Sequence, residues 1–352
     1  MQTDRQTIEG LDMLRALAVV GVIVIHVATP VVKMAFGSDA GYWWTGNVAD
    51  SCVRFAVPVF VMLSGATMLH RDYPLAGFYK KRMVRVLIPF LFWMVAYWIF
   101  RWLELPADKQ PRCFVHIMQW AGQLFVAEGI SKHFWYVYMI VFFYLFMPFL
   151  GRLVRRMGNR SVVAVLILWV VANIMLRNVP LNFYRWNEHW DTRLLAFLLF
   201  SGYLVLGYWL QKIGTGGRIV RVAAAGIWLV TVGVAAVSTW WMSRGLKDPD
   251  MSMYGNLTVN TMLQAASLFI LLKDSSCPNR YVSAFRRIVS NYSYGIYLSH
   301  IMVLGILFDH GIFWTMAHPV VSLPLVTLLV LTISLAVVYL LRRLPFGKYF
   351  AG

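Results

Sequence analysis

Charge is what this sequence has least of. Only 13% of its 352 residues are Asp, Glu, Lys or Arg, while 60% are hydrophobic and 16% aromatic. A soluble domain carries roughly a quarter charged residues. Half that share excludes a surface that mostly faces water. Acids are scarcest, 15 against 32 Lys and Arg, for a formal net charge of +17. Cysteine is nearly missing. Cys52, Cys113 and Cys277 lie far apart, with no CxxC and no His/Cys spacing suited to a metal. A disulfide framework or a metal-built scaffold is therefore excluded, and a Cys52–Cys113 bridge would need both residues on the outer side. The N-terminus also lacks a basic segment followed by a small-residue cleavage site, so the first apolar stretch is expected to stay as a helix.

What the sequence has is apolar runs of membrane-crossing length. A helix needs about 20 apolar residues to traverse the hydrocarbon core. The runs at 11–32, 52–70, 86–104, 134–151, 161–178, 193–211, 222–242, 257–273, 291–308 and 322–341 qualify. They predict an all-α fold, a polytopic transmembrane helical bundle of about ten helices, as a single membrane-embedded domain over 1–352 with no soluble domain attached. Basic residues gather in alternate loops, roughly 20 on one side against about 10 on the other, which predicts cytoplasmic N and C termini. The outward loops, Asp50 among their residues, hold most of the acids.

The basic residues form no recognition face, so no nucleic acid partner is expected; the bilayer is the first partner. No fixed-period repeat or two-half symmetry is visible, and the usual sequence hint of a repeat-built transporter is absent. Segment 105–133 mixes apolar and polar residues (Phe114, Ile117, Met118, Trp120, Leu124, Phe125), the pattern of a helix lying at the interface.

The first span reads LDMLRALAVVGVIVIHVATP and holds Asp12, Arg15 and His26. Arg15 and His26 are 11 residues apart, close to three turns, so they share one helix face roughly 16 Å apart along the axis. An ionisable group at membrane depth is costly and marks a functional site by default. A histidine hydrogen-bonded between helices, with Arg15 snorkelling to lipid phosphates, fits the same residues equally well.

Further candidates lie downstream. In VRFAVPVFVMLSGATML, Arg54 stands in an apolar run and needs a partner, Pro58 can kink the helix, and Ser64-Gly65 admits a close neighbour. Arg82 and Arg85 share a face near the predicted inner surface, where guanidinium groups suit phosphates, although topology and lipid contact alone would account for them. His133 and Trp135 open HFWYVYMIV at the outer interface and fit an aromatic belt. His300, in SNYSYGIYLSHIMVL, carries the same burial cost as His26, and a packed interhelical hydrogen bond would meet it.

Together these segments resemble the acyltransferase-3 family of integral membrane acyltransferases. LDMLRALAVVGVIVIH is similar to the family's Arg/Lys-x10-His segment, and RFAVPVFVMLSG to its second-helix segment. KRMVRVLIPFLFW is similar to its Arg-x-x-Arg stretch, HFWYVYMIV to its His-x-Trp-aromatic segment, and YSYGIYLSH to its late-helix segment. The five occur in the family's order across nearly the whole chain. The short form resembles the sugar O-acetyltransferases of enterobacterial common antigen and exopolysaccharide pathways.

The resemblance implies a bacterial inner-membrane enzyme. It would move an acetyl or other short acyl group from acyl-CoA to a hydroxyl of a cell-surface or exported glycan, or of its lipid-linked precursor. No bound cofactor or metal is expected; acetyl-CoA is the donor substrate. His26 would be the catalytic histidine and Arg15 its required partner, with Arg82 and Arg85 holding the donor. Asp12, Arg54, His133, Trp135 and His300 are candidate supporting residues. Whether His26 acts as a general base or is itself acylated stays open. The competing readings are a sugar-lipid transporter or flippase without acyl-transfer chemistry, and an inactive scaffold.

Overall fold

A computed structural model describes residues 2–106, 108, 110, 113–123, 130–178, 190–214, 217–276 and 279–352. Thirteen helices account for most of them: α1 (Gln2–Met34), α2 (Ala40–Cys52), α3 (Ala56–Met68), α4 (Leu75–Glu104), α5 (Phe114–Gln123), α6 (Trp135–Arg156), α7 (Asn159–Asn178), α8 (Trp190–Lys212), α9 (Arg218–Ser243), α10 (Val259–Leu272), α11 (Arg280–Asp309), α12 (Pro319–Arg343) and the single turn α13 (Gly347–Phe350). Nine stretches among the described residues are long and apolar enough to cross a membrane, which makes this a multi-pass membrane protein.

The expected tenth span, 291–308, lies within α11. At 30 residues this helix is about 45 Å long, but Ser290, Asn291, Ser293, Ser299 and His300 interrupt its apolar character, and it is not one of the nine. Four of these five face protein: Ser290, Ser293, Ser299 and His300 are buried, while Asn291 is exposed. Lipid never has to solvate the buried four.

α1 is the central post. It packs against α11, α2, α3, α12 and α10, and Leu14, Ala16, Ala18, Val19, Ala28, Val31 and Val32 have no exposed surface. At the periphery α7 and α9 turn Ile167, Leu168, Leu229 and Val230 outward, each more than half exposed. In water such apolar faces would mark a binding surface; here acyl chains cover them.

The second span departs from its expected bounds of 52–70. It starts at Ala40, and a break at Val53–Phe55 divides it into α2 and α3. Asp50, expected in an outward loop, is therefore a fully buried helical residue. Pro58 rationalises the break. It has no N–H to donate to the carbonyl four residues back, a loss that costs nothing in the first turn of a helix; here it stands in the first turn of α3.

Ser64-Gly65 admits a neighbour as expected. α3 packs most extensively on α8, and a Cβ built at Gly65 would lie 2.0 Å from the Leu204 carbonyl oxygen, as one at Gly207 would from that of Met62. Two glycines, one from each helix, set the spacing of this pair.

Cys52 is half-buried and Cys113 exposed, both as free thiols, while Cys277 lies outside the described residues. Within 105–133 the structure shows the ten-residue α5, with Val115 and Met118 exposed; Leu124 and Phe125 fall outside the described residues.

Candidate functional site

The site has two parts stacked along α1. The first is a cavity of about 340 Å³ near the N-terminal end of α1, walled by α1, α3, α4, α6 and α11. Arg15, Arg82 and Arg85 all line it. Two arginines that the sequence places on a separate helix thus join the one on α1. No Asp or Glu side chain lines the cavity. Arg15 is held from behind: its Nη1 donates to Asp12 Oδ1 at 3.0 Å and to Ser290 Oγ at 3.1 Å, and Ser290 Oγ donates to the same Asp12 oxygen at 2.8 Å. Asp12 and Arg15 sit one turn apart on α1, and Ser290 comes from α11, so the triangle fastens the central helix to its most polar neighbour. Tyr294 ties α11 to α4 on the same wall, donating to the Val86 carbonyl at 2.9 Å.

This end of the molecule is positive beyond the cavity. His70, in the turn between α3 and α4, has its pKa lowered by burial first, then by Lys212 and Arg155. The two cations add to burial in disfavouring its protonation.

The second part is a cluster of three histidines from three elements. His26 comes from α1, His133 from the single 3-10 turn that precedes α6 (Lys132–Phe134), and His300 from α11. The His26 and His300 ring centroids are 5.2 Å apart, and those of His133 and His300 are 5.1 Å apart. Sequence reading placed His133 in an aromatic belt; it is instead nearly fully buried against His300 and Tyr97. Its Nδ1 shares a 2.7 Å hydrogen bond with Ser131 Oγ.

His300 does make the expected packed hydrogen bond, but within its own helix. Its Nδ1 lies 2.6 Å from the Tyr297 carbonyl oxygen. A carbonyl can only accept, so Nδ1 carries the proton and Nε2 of the neutral ring is a bare acceptor. That Nε2 is buried with no hydrogen-bond partner among the described residues. An unpaired acceptor beside the His26 ring is a group equipped to fix the tautomer of that histidine, since the hydrogen bond at one ring nitrogen decides which form the other presents.

Tyr297 joins the two parts. It lines the arginine cavity together with Tyr136, its ring packs on Tyr136, His133 and His300, and its hydroxyl donates to the His133 carbonyl. The cavity thus ends on tyrosine rings that touch the histidines. Tyr297 was missed in sequence, although it lies three residues before His300 and hence on the same side of the helix. Arg15 and His26 occupy different parts of this arrangement; about 16 Å of helix separates them.

Trp135 stands at the start of α6, with its ring against Tyr136 and Phe200. Arg54 belongs to neither part. It forms an ion pair with Asp50 one turn earlier, and its guanidinium lies 4.1 Å from the centre of the Tyr254 ring. Thr29 on α1 donates to Asp50 at 3.1 Å.

A many-spanning helical bundle with a cation-lined cavity running up to buried histidines is the frame of an integral-membrane enzyme. Residues 8–343 match the acyltransferase domain family, and the chain belongs to this acyltransferase-3 family of membrane acyltransferases. Its activity is therefore acyl transfer at a membrane. No curated protein and no solved structure matches the chain.

Proposed function

We propose that the protein is an O-acyltransferase of the bacterial inner membrane, which moves an acetyl or other short acyl group from acyl-CoA to a hydroxyl of an exported glycan or its lipid-linked precursor. One observation carries this reading: a cavity with three arginines and no Asp or Glu side chain leads, through Tyr297, to a cluster of three histidines of which His133 and His300 are buried. Coenzyme A is a polyanion that cannot enter hydrocarbon. Its diphosphate stops among Arg15, Arg82 and Arg85 at the cytoplasmic mouth, where guanidinium forks bind phosphate well. The thin pantetheine arm runs inward past the tyrosines.

The acceptor hydroxyl oxygen attacks the thioester carbonyl while His26 takes the hydroxyl proton. The C–S bond then breaks, the ester forms, and the proton goes from His26 to the departing thiolate to give free coenzyme A. In the two-step variant a His26 ring nitrogen attacks the thioester, the C–S bond breaks and the thiolate leaves with the ring proton; the acyl-imidazole then passes its acyl group to the hydroxyl oxygen while the hydroxyl proton returns to the ring. In either case a hydrogen bond from the other His26 nitrogen to the bare Nε2 of His300 would hold the ring in a productive orientation.

Radiolabelled acetyl-CoA, given to membranes that contain the glycan lipids of the producing cell, tests the proposal. Label should move to glycan with the wild-type protein and not with His26→Ala. A folded His26→Ala protein that transfers label at the wild-type rate overturns it.

A further inference from the structure

The arginine cavity has a larger neighbour. A second cavity of about 670 Å³ abuts it, and Arg85 and Gly352 line both. Lys80, Lys81, Arg342 and Lys348 also line the second cavity, and again no Asp or Glu side chain does; Arg342 donates to the Gly352 carbonyl oxygen. Gly77, Lys80, Lys81, Val84 and Arg85 recur at helical spacing, so one face of the first turns of α4 forms its floor. α13 packs against both α4 and α12 and brings Lys348 and Tyr349 over it. Among the described residues no ion pair involves Lys80, Lys81, Arg82, Arg85 or Lys348. Elsewhere at this end basic side chains do find acids: Arg15 with Asp12, Arg155 with Asp72, Arg286 with Glu9, and Lys273 with Asp274.

We propose that this second cavity is the binding site for the 3′-phosphorylated adenosine end of the acyl-CoA donor, with the diphosphate at the shared Arg85 and the pantetheine arm in the arginine cavity. The inference rests on the donor reading above and deepens it. Lys80, Lys81, Arg85 and Lys348, gathered around one cavity with no Asp or Glu partner, repel one another, and a ligand that brings about four negative charges relieves them; a phosphomonoester alone carries nearly two. The second cavity offers about twice the volume of its neighbour, which suits it to the bulkier, nucleotide end of the donor. Tyr349 is half exposed at the rim of the second cavity, where a planar base can stack. The N-terminal end of α4, with its positive dipole end, points the same way. A single anionic lipid headgroup would engage only a cation or two of this set.

Calorimetry on the full-length protein in phosphatidylcholine nanodiscs tests the site with three probes: acetyl-CoA, its 3′-dephospho analogue and S-acetyl-4′-phosphopantetheine. Wild-type protein should bind acetyl-CoA roughly tenfold more tightly than the 3′-dephospho analogue. The double variant Lys80→Gln/Lys81→Gln should lose that difference, and so should Lys348→Gln, while affinity for the pantetheine probe stays the same. Equal affinity of the wild type for acetyl-CoA and its 3′-dephospho analogue overturns the inference and leaves the donor reading standing, provided both bind and Arg82→Ala weakens both. No binding of acetyl-CoA by the wild type overturns the donor reading itself. If the lysine variants leave the acetyl-CoA preference intact but weaken retention of phosphatidylglycerol, the cavity is a lipid headgroup site and the inference falls.

Discussion

Arginine stands in two kinds of place in this molecule, and the contrast separates ligand chemistry from architecture. Arg54 is almost sealed within the protein, answered by the fully buried Asp50 and by the Tyr254 ring. Around it Asn47 donates to the Ala236 carbonyl at 2.9 Å, Gln264 donates to the Ser51 carbonyl at 2.8 Å, and Tyr254 bonds Asn47. These bonds connect α2, α9, α10 and the turn around Tyr254. Arg82 and Arg85, by contrast, border open cavities with no acid in the lining. A charge matched inside the fold holds helices together. A charge left unmatched beside a cavity awaits an anion. Arg15 stands between the two kinds, braced by Asp12 and Ser290 from one side and open to the cavity on the other.

The largest effect should come from breaking the matched pair. Asp50→Ala leaves the Arg54 guanidinium buried without its counter-ion, which costs about 3–5 kcal/mol. The protein should lose much of its thermal stability in detergent, read by size-exclusion chromatography after heating. The double variant Asp50→Asn/Arg54→Gln removes both charges and should recover most of the loss. If the double variant is as unstable as the single, the pair does not act as a matched charge.

Next in size is the α3–α8 contact, which involves no charge. A Cβ at Gly65 meets the backbone of Leu204, which cannot swing aside as a side chain would. Gly65→Ala should therefore force the helices apart and cost about 1–3 kcal/mol. The same assay reads it, and Gly226→Ala, where a Cβ meets nothing within 4 Å on α9, is the control that should leave stability unchanged.

The unmatched arginines should behave in the opposite manner. Arg82→Ala removes a ligand contact and leaves no buried charge behind, so the melting behaviour should stay near that of the wild type. Its KM for acetyl-CoA should rise about tenfold, the size expected for one charge-assisted hydrogen bond to phosphate. Steady-state kinetics with kcat nearly constant would place the residue in donor binding; a fall in kcat alone would move it away from there.

How much of this was legible in the sequence follows from what each signal depends on. Helix positions were readable because apolar runs are local, and the shared face of Arg15 and His26 followed from helical periodicity alone. The break at Val53–Phe55 was not readable, since Pro58 in an apolar run signals a kink as well as a new first turn. The partner of Arg54 was in view four residues earlier, a helical spacing, but Asp50 was taken for a loop residue and the pairing was missed. The meeting of Arg15 with Arg82 and Arg85, and of His26 with His133 and His300, depends on which helices pack together. Spacing along one helix carries no information about that. α11 is the clearest case: in sequence 291–308 counts as an apolar run, and only the packing of α1 against it shows where its serines and His300 are buried.

The smallest predicted effect tests the residue that bridges the two classes. Ser290 accepts from Arg15 and donates to Asp12, so Ser290→Ala leaves the Arg15–Asp12 ion pair in place and removes only its link to α11. The loss should be about 1 kcal/mol, too little to unfold the protein. If Arg15 serves the donor and is held ready by its neighbours, the variant should show a modest rise in KM for acetyl-CoA, smaller than that of Arg82→Ala, with stability barely changed. If Arg15 is instead an architectural arginine like Arg54, the order reverses: stability falls while KM holds. The two readouts together decide on which side of the comparison Arg15 belongs.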